Sequence, residues 1–231
     1  MPYRIIPFVN GEYYHIYNRG LEKQNIFTNS RDHSQFIKTL FYYQIQNPKP
    51  KFSLYRQSKT YPIDPSKKIV DVICYCLMPN HFHLLIKQLQ EGGISEFMRR
   101  FIHSYTSYRN VKHKRQGPVF QGVFKAVMME TDEQLIHVSR YIHLNPLVSL
   151  LVKDLNLFAW SSYKSYIGLD DNPAIAKQEM LGFFKDPQEY KKFVLDQADY
   201  GTTLELLKHG TIDIDEAHTS NLRSRIGGSY N

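Results

Sequence analysis

The chain has 231 residues, 42% of them hydrophobic, with 17 Tyr and 14 Phe, which is enough to bury a core and excludes a disordered polypeptide. Its formal net charge is +7, from 29 Lys and Arg against 22 Asp and Glu, so the distribution of the cations decides what they mean. No stretch has the length of a membrane span, Met1-Pro2-Tyr3-Arg4-Ile5 lacks an apolar signal segment, and the only cysteines, Cys74 and Cys76, are too close along one strand-like run to bridge each other. A soluble protein of a reducing cytoplasm is expected.

Gly11 to Arg19 is rich in aromatics and closes on Gly20, which predicts a first strand. Asp32 to Gln46 carries Phe36, Ile37, Leu40, Phe41 and Ile45 at helical spacing and is ended by Asn47-Pro48. Lys51 to Pro65 is polar and holds Pro62 and Pro65, so a loop or a short irregular strand is expected. Ile69 to Cys76 is a β-branched run with the composition of a central strand. Leu77 to Asn80, with Pro79, then turns the chain into a second strand starting at His81, an antiparallel hairpin.

In that second strand the two-residue period places His81, His83, Leu85 and Lys87 on one face and Phe82, Leu84 and Ile86 on the other. One face is a core stripe. The other carries two imidazoles side by side, able to present nitrogens to a single cation if something else completes the shell. On spacing alone His-x-His is a weak motif, and two ordinary strand histidines is the better reading.

Glu91-Gly92-Gly93 breaks the chain, and Ser95 to Lys112 holds Phe97, Met98, Phe101, Ile102, Tyr105 and Tyr108 in the spacing of an amphipathic helix. From Phe97 to Met129 there is no Asp or Glu, while Arg99, Arg100, Arg109, Lys112, Lys114, Arg115 and Lys125 fall inside that window. Interleaved with Tyr105, Tyr108, Phe120 and Phe124, these cations could track phosphates and stack bases. A solvated helix face explains the same block equally well.

Gly117-Pro118 ends the helix, and Val119 to Met129 alternates weakly as a strand. Thr131-Asp132-Glu133-Gln134 has the pattern of a capping box, so a helix starts there and is expected to stop at Pro146. Leu135, Val138 and Ile142 make its apolar stripe, while His137, Tyr141 and Asn145 follow one another at four-residue steps on an adjoining face. A helical tyrosine is more often half buried with its hydroxyl in water than catalytic, and nothing within this helix overturns that. The order of elements describes an α+β fold with helices on an antiparallel sheet. Beyond Pro146, Ile175 to Phe184, Pro187 to Ala198 and Thr203 to His209 read as helical, and a loose tail is expected from Gly210 to Asn231.

Four blocks in order, Leu77-Met78-Pro79-Asn80-His81-Phe82-His83-Leu84-Leu85-Ile86, Tyr105-Thr106-Ser107-Tyr108-Arg109-Asn110, Gly117-Pro118-Val119-Phe120-Gln121-Gly122 and Arg140-Tyr141-Ile142-His143-Leu144-Asn145-Pro146, with Trp160-Ser161-Ser162-Tyr163 downstream, resemble the single-tyrosine HUH transposases. Among these they look most like the REP-associated tyrosine transposase branch. The resemblance spans roughly Gly11 to Tyr166. It implies a ferredoxin-like, RRM-like HUH domain over residues 1–150, a mostly helical C-terminal extension over 151–210 and a flexible tail over 211–231. It maps the metal-binding histidines onto His81 and His83, the nucleophilic tyrosine onto Tyr141, and a metal-assisting amide onto Asn145. Tyr105 and Tyr108 rank second as nucleophiles, since Arg109 and Lys112 stand where the assisting amide would be. Relatives carry Arg-Phe after the Gln-Gly of the third block, whereas this chain has Val123 before Phe124; Lys125 could supply the missing phosphate contact.

The activity implied is cleavage and rejoining of single-stranded DNA at hairpin or palindromic repeats through a 5′-phosphotyrosine, with Mg²⁺ or Mn²⁺ as cofactor. His137 could assist deprotonation of Tyr141. Arg99, Arg100, Tyr105, Tyr108, Arg109, Lys112, Lys114, Arg115 and Lys125 would hold the DNA, the protein acting as a monomer or homodimer without membrane association and joining the nucleoid when bound. Two other readings stand beside it: a domesticated hairpin-DNA binder that no longer cuts, and a metal phosphodiesterase that activates water.

Overall fold

The computed structural model describes residues 7–58 and 64–198; the expected helix at 203–209 and the tail from Gly210 lie outside the described residues. In chain order the main elements are β1 (Tyr13–Arg19), α1 (Ser30–Tyr43), α2 (Phe52–Ser58), β2 (Val70–Met78), β3 (His81–Gln88), α3 (Gly93–Lys112), β4 (Lys125–Met129), α4 (Asp132–Val148), α5 (Tyr163–Tyr166), α6 (Gln178–Leu181) and α7 (Pro187–Leu195). The strands form one antiparallel sheet in the order β2-β3-β1-β4. This is the α+β architecture that the sequence predicts.

Alternation along β3 decides what each face of the sheet meets. Phe82 points at Phe36 of α1 and Phe101 of α3, with ring centroids 5.2 and 6.3 Å away, and Phe36 also meets Phe101 and Tyr105. The opposite face, with His81, His83 and Leu85, lies under α4, which packs on β2 and β3. Leu84 and Leu85 are both fully buried, so the sheet is covered on both sides. The two long helices start where local chemistry says they should. Asn29 caps α1 by accepting from the Asp32 N–H, and Thr131 caps α4 by accepting from the Gln134 N–H. The Gln134 side chain in turn accepts from the Glu130 N–H.

The structure corrects four details. β2 is an edge strand, not a central one: helices bury both its faces, which explains its composition, and a later segment bonds its outer edge. Leu77 N–H donates to the Trp160 carbonyl (2.9 Å), Ser162 N–H to that of Tyr75 (3.0 Å), and Ala176 N–H to that of Val72 (2.9 Å). The polar stretch after Lys51 contains a helix, α2, held by Phe52 and Tyr55, whose rings lie 5.2 and 4.9 Å from that of Tyr42. β4 begins only at Lys125; before it the backbone forms a bridge between Gly20 and Phe120, with Gln121 N–H donating to the Arg19 carbonyl (2.8 Å). Finally, α4 runs through Pro146 to Val148. Near a C-terminus the proline removes one N–H only, and the turn still closes, with Ser149 N–H on the Asn145 carbonyl and Leu151 N–H on that of Pro146.

Residues 160–195 are tied to α4 by a relay of hydrogen bonds around His143, which is fully buried. Tyr75 N–H donates to Ser162 Oγ (2.8 Å), and Ser162 Oγ lies 2.7 Å from His143 Nε2. His143 Nδ1 lies 2.7 Å from Tyr190 Oη, which donates to Ser139 Oγ (3.2 Å), and Ser139 donates to the Ile136 carbonyl (2.8 Å). The buried imidazole is neutral, so it donates through one ring nitrogen and accepts through the other; Ser162 Oγ also lies 3.3 Å from the Tyr75 carbonyl. The neutral imidazole is the joint between edge strand, α4 and α7.

A histidine and tyrosine cluster as the candidate active site

β1 lies between β3 and β4, with Tyr17 opposite His83 on one side and opposite Lys125 on the other. Directly opposed residues share a face of the sheet. His15, Tyr17 and Arg19 therefore join His81 and His83 on the face covered by α4. His15 Nε2 is 2.9 Å from His83 Nδ1. The His81 and His83 rings are 5.0 Å apart, and Tyr17 lies 5.1 Å from His15 and 5.9 Å from His83. α4 lays the ring of Tyr141 edge-on over the pair, 5.3 Å from His83 and 5.9 Å from His15. Tyr141 itself is 50% exposed, so the cluster opens to solvent on the tyrosine side. The Lys125 ammonium stands 6.0 Å from the Tyr17 ring.

The histidines are neutral at ordinary pH. Burial holds His83 well below the usual imidazole range, reinforced by the charges His15 and His81 would carry. Burial lowers His15 to about 4. His81 is lowered by burial and then by the neighbouring Arg19 cation. Neutral imidazoles keep the lone pairs that bind metals.

Two observations bear on a divalent cation. Asn80 Nδ2 donates to the Lys23 carbonyl (3.3 Å), which turns Asn80 Oδ1 toward His81 Nδ1 at 2.6 Å. His81 therefore carries its proton on Nδ1 and leaves Nε2 bare. Among the described residues His83 Nε2 is buried without a hydrogen-bond partner, as a nitrogen reserved for a ligand would be. Among the described residues no group of three His, Cys, Asp or Glu side chains stands ready to hold a metal, so further donors must be of another kind. The set of two imidazoles with an amide, water or phosphate oxygen suits Mn²⁺ at least as well as Mg²⁺.

The structure distributes the remaining candidates widely. Asn145 is buried one turn beyond Tyr141. His137 faces elsewhere: its Nδ1 accepts from Arg140 (2.6 Å), and its ring packs 5.7 Å from Phe193 of α7. The imidazole rings packed on that of Tyr141 are those of His15 and His83. Tyr105 and Arg109 are buried. Tyr105 is fully buried on the α1/α3 side of the sheet, and its hydroxyl donates to the Ile26 carbonyl at 2.7 Å. Arg109 is buried in an ion pair with Asp32 (3.0 Å), whose carboxylate also takes the Tyr108 hydroxyl (2.9 Å) and the Lys112 ammonium. Burial alone would raise the Asp32 carboxyl, but the hydrogen bonds from Lys112, Thr28 and Tyr108 outweigh it and hold the group well below the carboxylate range. Arg109 and Lys112 of the basic block thus serve one buried acid. Arg100 pairs with Glu96 at 2.9 Å, and Arg115 donates to the Pro118 carbonyl at 2.9 Å. Arg99, Lys114 and Lys125 are exposed. His15 and Tyr17 are the site residues that sequence reasoning missed; Tyr13 to Arg19 alternates so that both share a face with Arg19, but only the register of β1 on β3 brings them to His83.

Residues 65–145 match the family model described as "Transposase IS200 like". That segment carries His81, His83, Tyr141 and Asn145. Among solved structures, the chain is similar to a REP-associated tyrosine transposase bound to a REP hairpin, with a TM-score of 0.51 and 15% identity over 75% of this chain and 89% of that one. At that identity the likeness concerns the fold. A fainter likeness to tRNA(His) guanylyltransferase from Saccharomyces cerevisiae, with a TM-score of 0.35 and 8% identity over 84% of this chain and 80% of that one, carries no argument. No curated protein matches the chain.

Proposed function

Taking its IS200-like transposase sequence and REP-associated tyrosine transposase fold as premise, we propose that this protein cuts and rejoins single-stranded DNA at hairpin repeats, with Tyr141 as nucleophile. The observation that carries the reading is the Tyr141 ring held against His83 and His15 at the open side of the cluster. His81 and His83 would hold a divalent cation, assisted by Asn145. Once bound, the cation would neutralise charge developing on the scissile phosphate.

The chain's own residues account for the rest. Tyr141 Oη bonds to phosphorus, the P–O3′ bond breaks, and the phenolic proton is passed to the departing 3′-oxygen. The product is a 5′-phosphotyrosine beside a free 3′-hydroxyl. Because the link keeps the phosphodiester bond, attack by another 3′-hydroxyl reverses the step. Lys125, exposed beside Tyr17, is placed to meet a phosphate, standing in for the arginine replaced by Val123. The neighbouring structure was bound to a hairpin, which supports a folded single strand as ligand. Arg99 and Lys114 remain as exposed cations for its backbone, and affinity should fall steeply with salt.

The test is a labelled hairpin-bearing single strand incubated with the protein, with and without Mn²⁺, on a denaturing gel. A metal-dependent covalent adduct is expected in wild type and none in Tyr141→Phe. Tyr17, as near to His83 as the geometry allows a rival to be, is the control: an adduct that survives Tyr141→Phe and disappears in Tyr17→Phe would sink the assignment. Cutting without any adduct would identify water as the nucleophile.

A further inference from the structure

His15 belongs to none of the sequence blocks that mark the site, yet its imidazole is the one bonded to His83. The nitrogens are 2.9 Å apart, and the rings lie nearly parallel at 25° with centroids 5.1 Å apart. Two neutral imidazole nitrogens at that distance share one proton, so one ring donates and the other accepts. The two arrangements have opposite consequences. If His15 donates, His83 holds its own proton on Nε2, as a buried N–H with no acceptor, and has no lone pair there. If His83 donates from Nδ1, the buried atom is a bare nitrogen. Orphaned buried N–H groups are rarer than orphaned acceptors, and the second arrangement is the one a metal requires.

We propose that His15 is a positioning residue: it accepts the Nδ1 proton of His83, fixes that ring's tautomer and plane, and so presents Nε2 to a divalent cation. The inference rests on the reading of His81 and His83 as metal ligands. It also makes the two histidines parallel cases. Asn80 supplies the acceptor to His81 Nδ1 from the hairpin turn, and His15 supplies it to His83 Nδ1 from the neighbouring strand. Each ring is held by a partner outside the shell, which is how metal-bound histidines are oriented. A ring already bonded through Nε2 to His83 is not free to be a third ligand through that atom. The Tyr141 ring, 5.9 Å from His15 and 5.3 Å from His83, packs on the bonded pair and not on a single imidazole. Loss of His15 would therefore loosen the seat of the tyrosine as well.

The experiment reads the tautomer directly, in metal-free protein. Imidazole ¹⁵N shifts at neutral pH, with the His83 signals identified by their loss in His83→Gln, should show a protonated Nδ1 and a bare Nε2 in wild type. His15→Phe keeps a ring but removes the acceptor, and His83 should move to the Nε2–H form. His15→Gln restores an acceptor and should restore the wild-type pattern. Mn²⁺ affinity, measured by calorimetry, should fall roughly 10- to 100-fold in His15→Phe and recover in His15→Gln. An Nε2–H His83 in wild-type protein that does bind Mn²⁺ would overturn the role of His15 while leaving the metal reading intact. A wild-type Nδ1–H tautomer with no uptake of Mn²⁺ would overturn the metal reading and, with it, the purpose given to His15. Equal loss of affinity in both variants with the tautomer unchanged would make His15 a direct ligand and overturn the proposal.

Discussion

Acidification from pH 7 to pH 5 should loosen the joint at His143, and the size of the effect follows from its burial. The ring is fully buried between Ser162 and Tyr190, and burial lowers it from 6.5 to about 3. Between those values the unfolded chain binds a proton that the folded chain refuses, so stability rises with pH throughout that window and is complete above about 6.5. At about 1.4 kcal/mol per pH unit, with the unfolded group titrating near 6.5, the loss at pH 5 is about 2 kcal/mol, or roughly 4–8 °C in Tm for a chain of this size. The assay is urea unfolding at both pH values of wild type and His143→Gln, whose neutral amide can still bond to Ser162 and Tyr190. His15, His81 and His83 are also lowered, but they contribute alike to both proteins. The variant should lose about 2 kcal/mol less than wild type on acidification. Equal losses in the two proteins would refute the reasoning.

Asp32→Ala leaves the buried Arg109 without its carboxylate and should cost about 3–5 kcal/mol in urea unfolding at pH 7. In the wild type the Asp32 contribution is present above about pH 4 and fades only as the pH falls further, because the folded group lies below the unfolded one; a loss of that contribution already at pH 5 to 6 would contradict the assignment. Tyr105→Phe removes one buried hydrogen bond to the Ile26 carbonyl and should cost about 1 kcal/mol, with the yield of covalent adduct on the denaturing gel unchanged. A Tyr105→Phe protein that folds but forms no adduct would mean that the α3 side of the sheet takes part in the chemistry.

What the sequence makes legible here is whatever depends on neighbours a few residues away. β3, α1 and α3 show themselves because Phe36, Leu40, Phe82, Leu84, Phe97 and Phe101 repeat at the period of the face they bury. The cap at Thr131 is equally local. α2 is hidden, since Phe52 and Tyr55 hold it by packing on Tyr42, a contact that its polar composition does not announce. β2 reads as central because composition reports burial of faces and is silent about which strand edges are paired. The candidate site divides in the same way. His81, His83 and Tyr141 sit in short patterns within one strand and one helix, whereas His15 and Tyr17 need the register of two strands about 70 residues apart in sequence. The basic block of α3 misleads for the converse reason. Its charge density is a local fact, but the single acid that claims Arg109 and Lys112 lies 77 and 80 positions earlier.

Trp160 is the only tryptophan in the chain. Its carbonyl completes the outer edge of β2, and its indole lies face to face on His33, with centroids 4.4 Å apart and planes 16° apart. The consequence is spectroscopic. All tryptophan emission from this protein originates at the seam where the later segment seals the sheet, so its intensity and wavelength during denaturation follow that seam alone, while far-ultraviolet dichroism follows the helices. If the two transitions separate along a urea axis, the seam opens first and the sheet edge is bared before the core melts. If they coincide, extension and core are one cooperative unit, and the boundary near residue 150 is a boundary in sequence only.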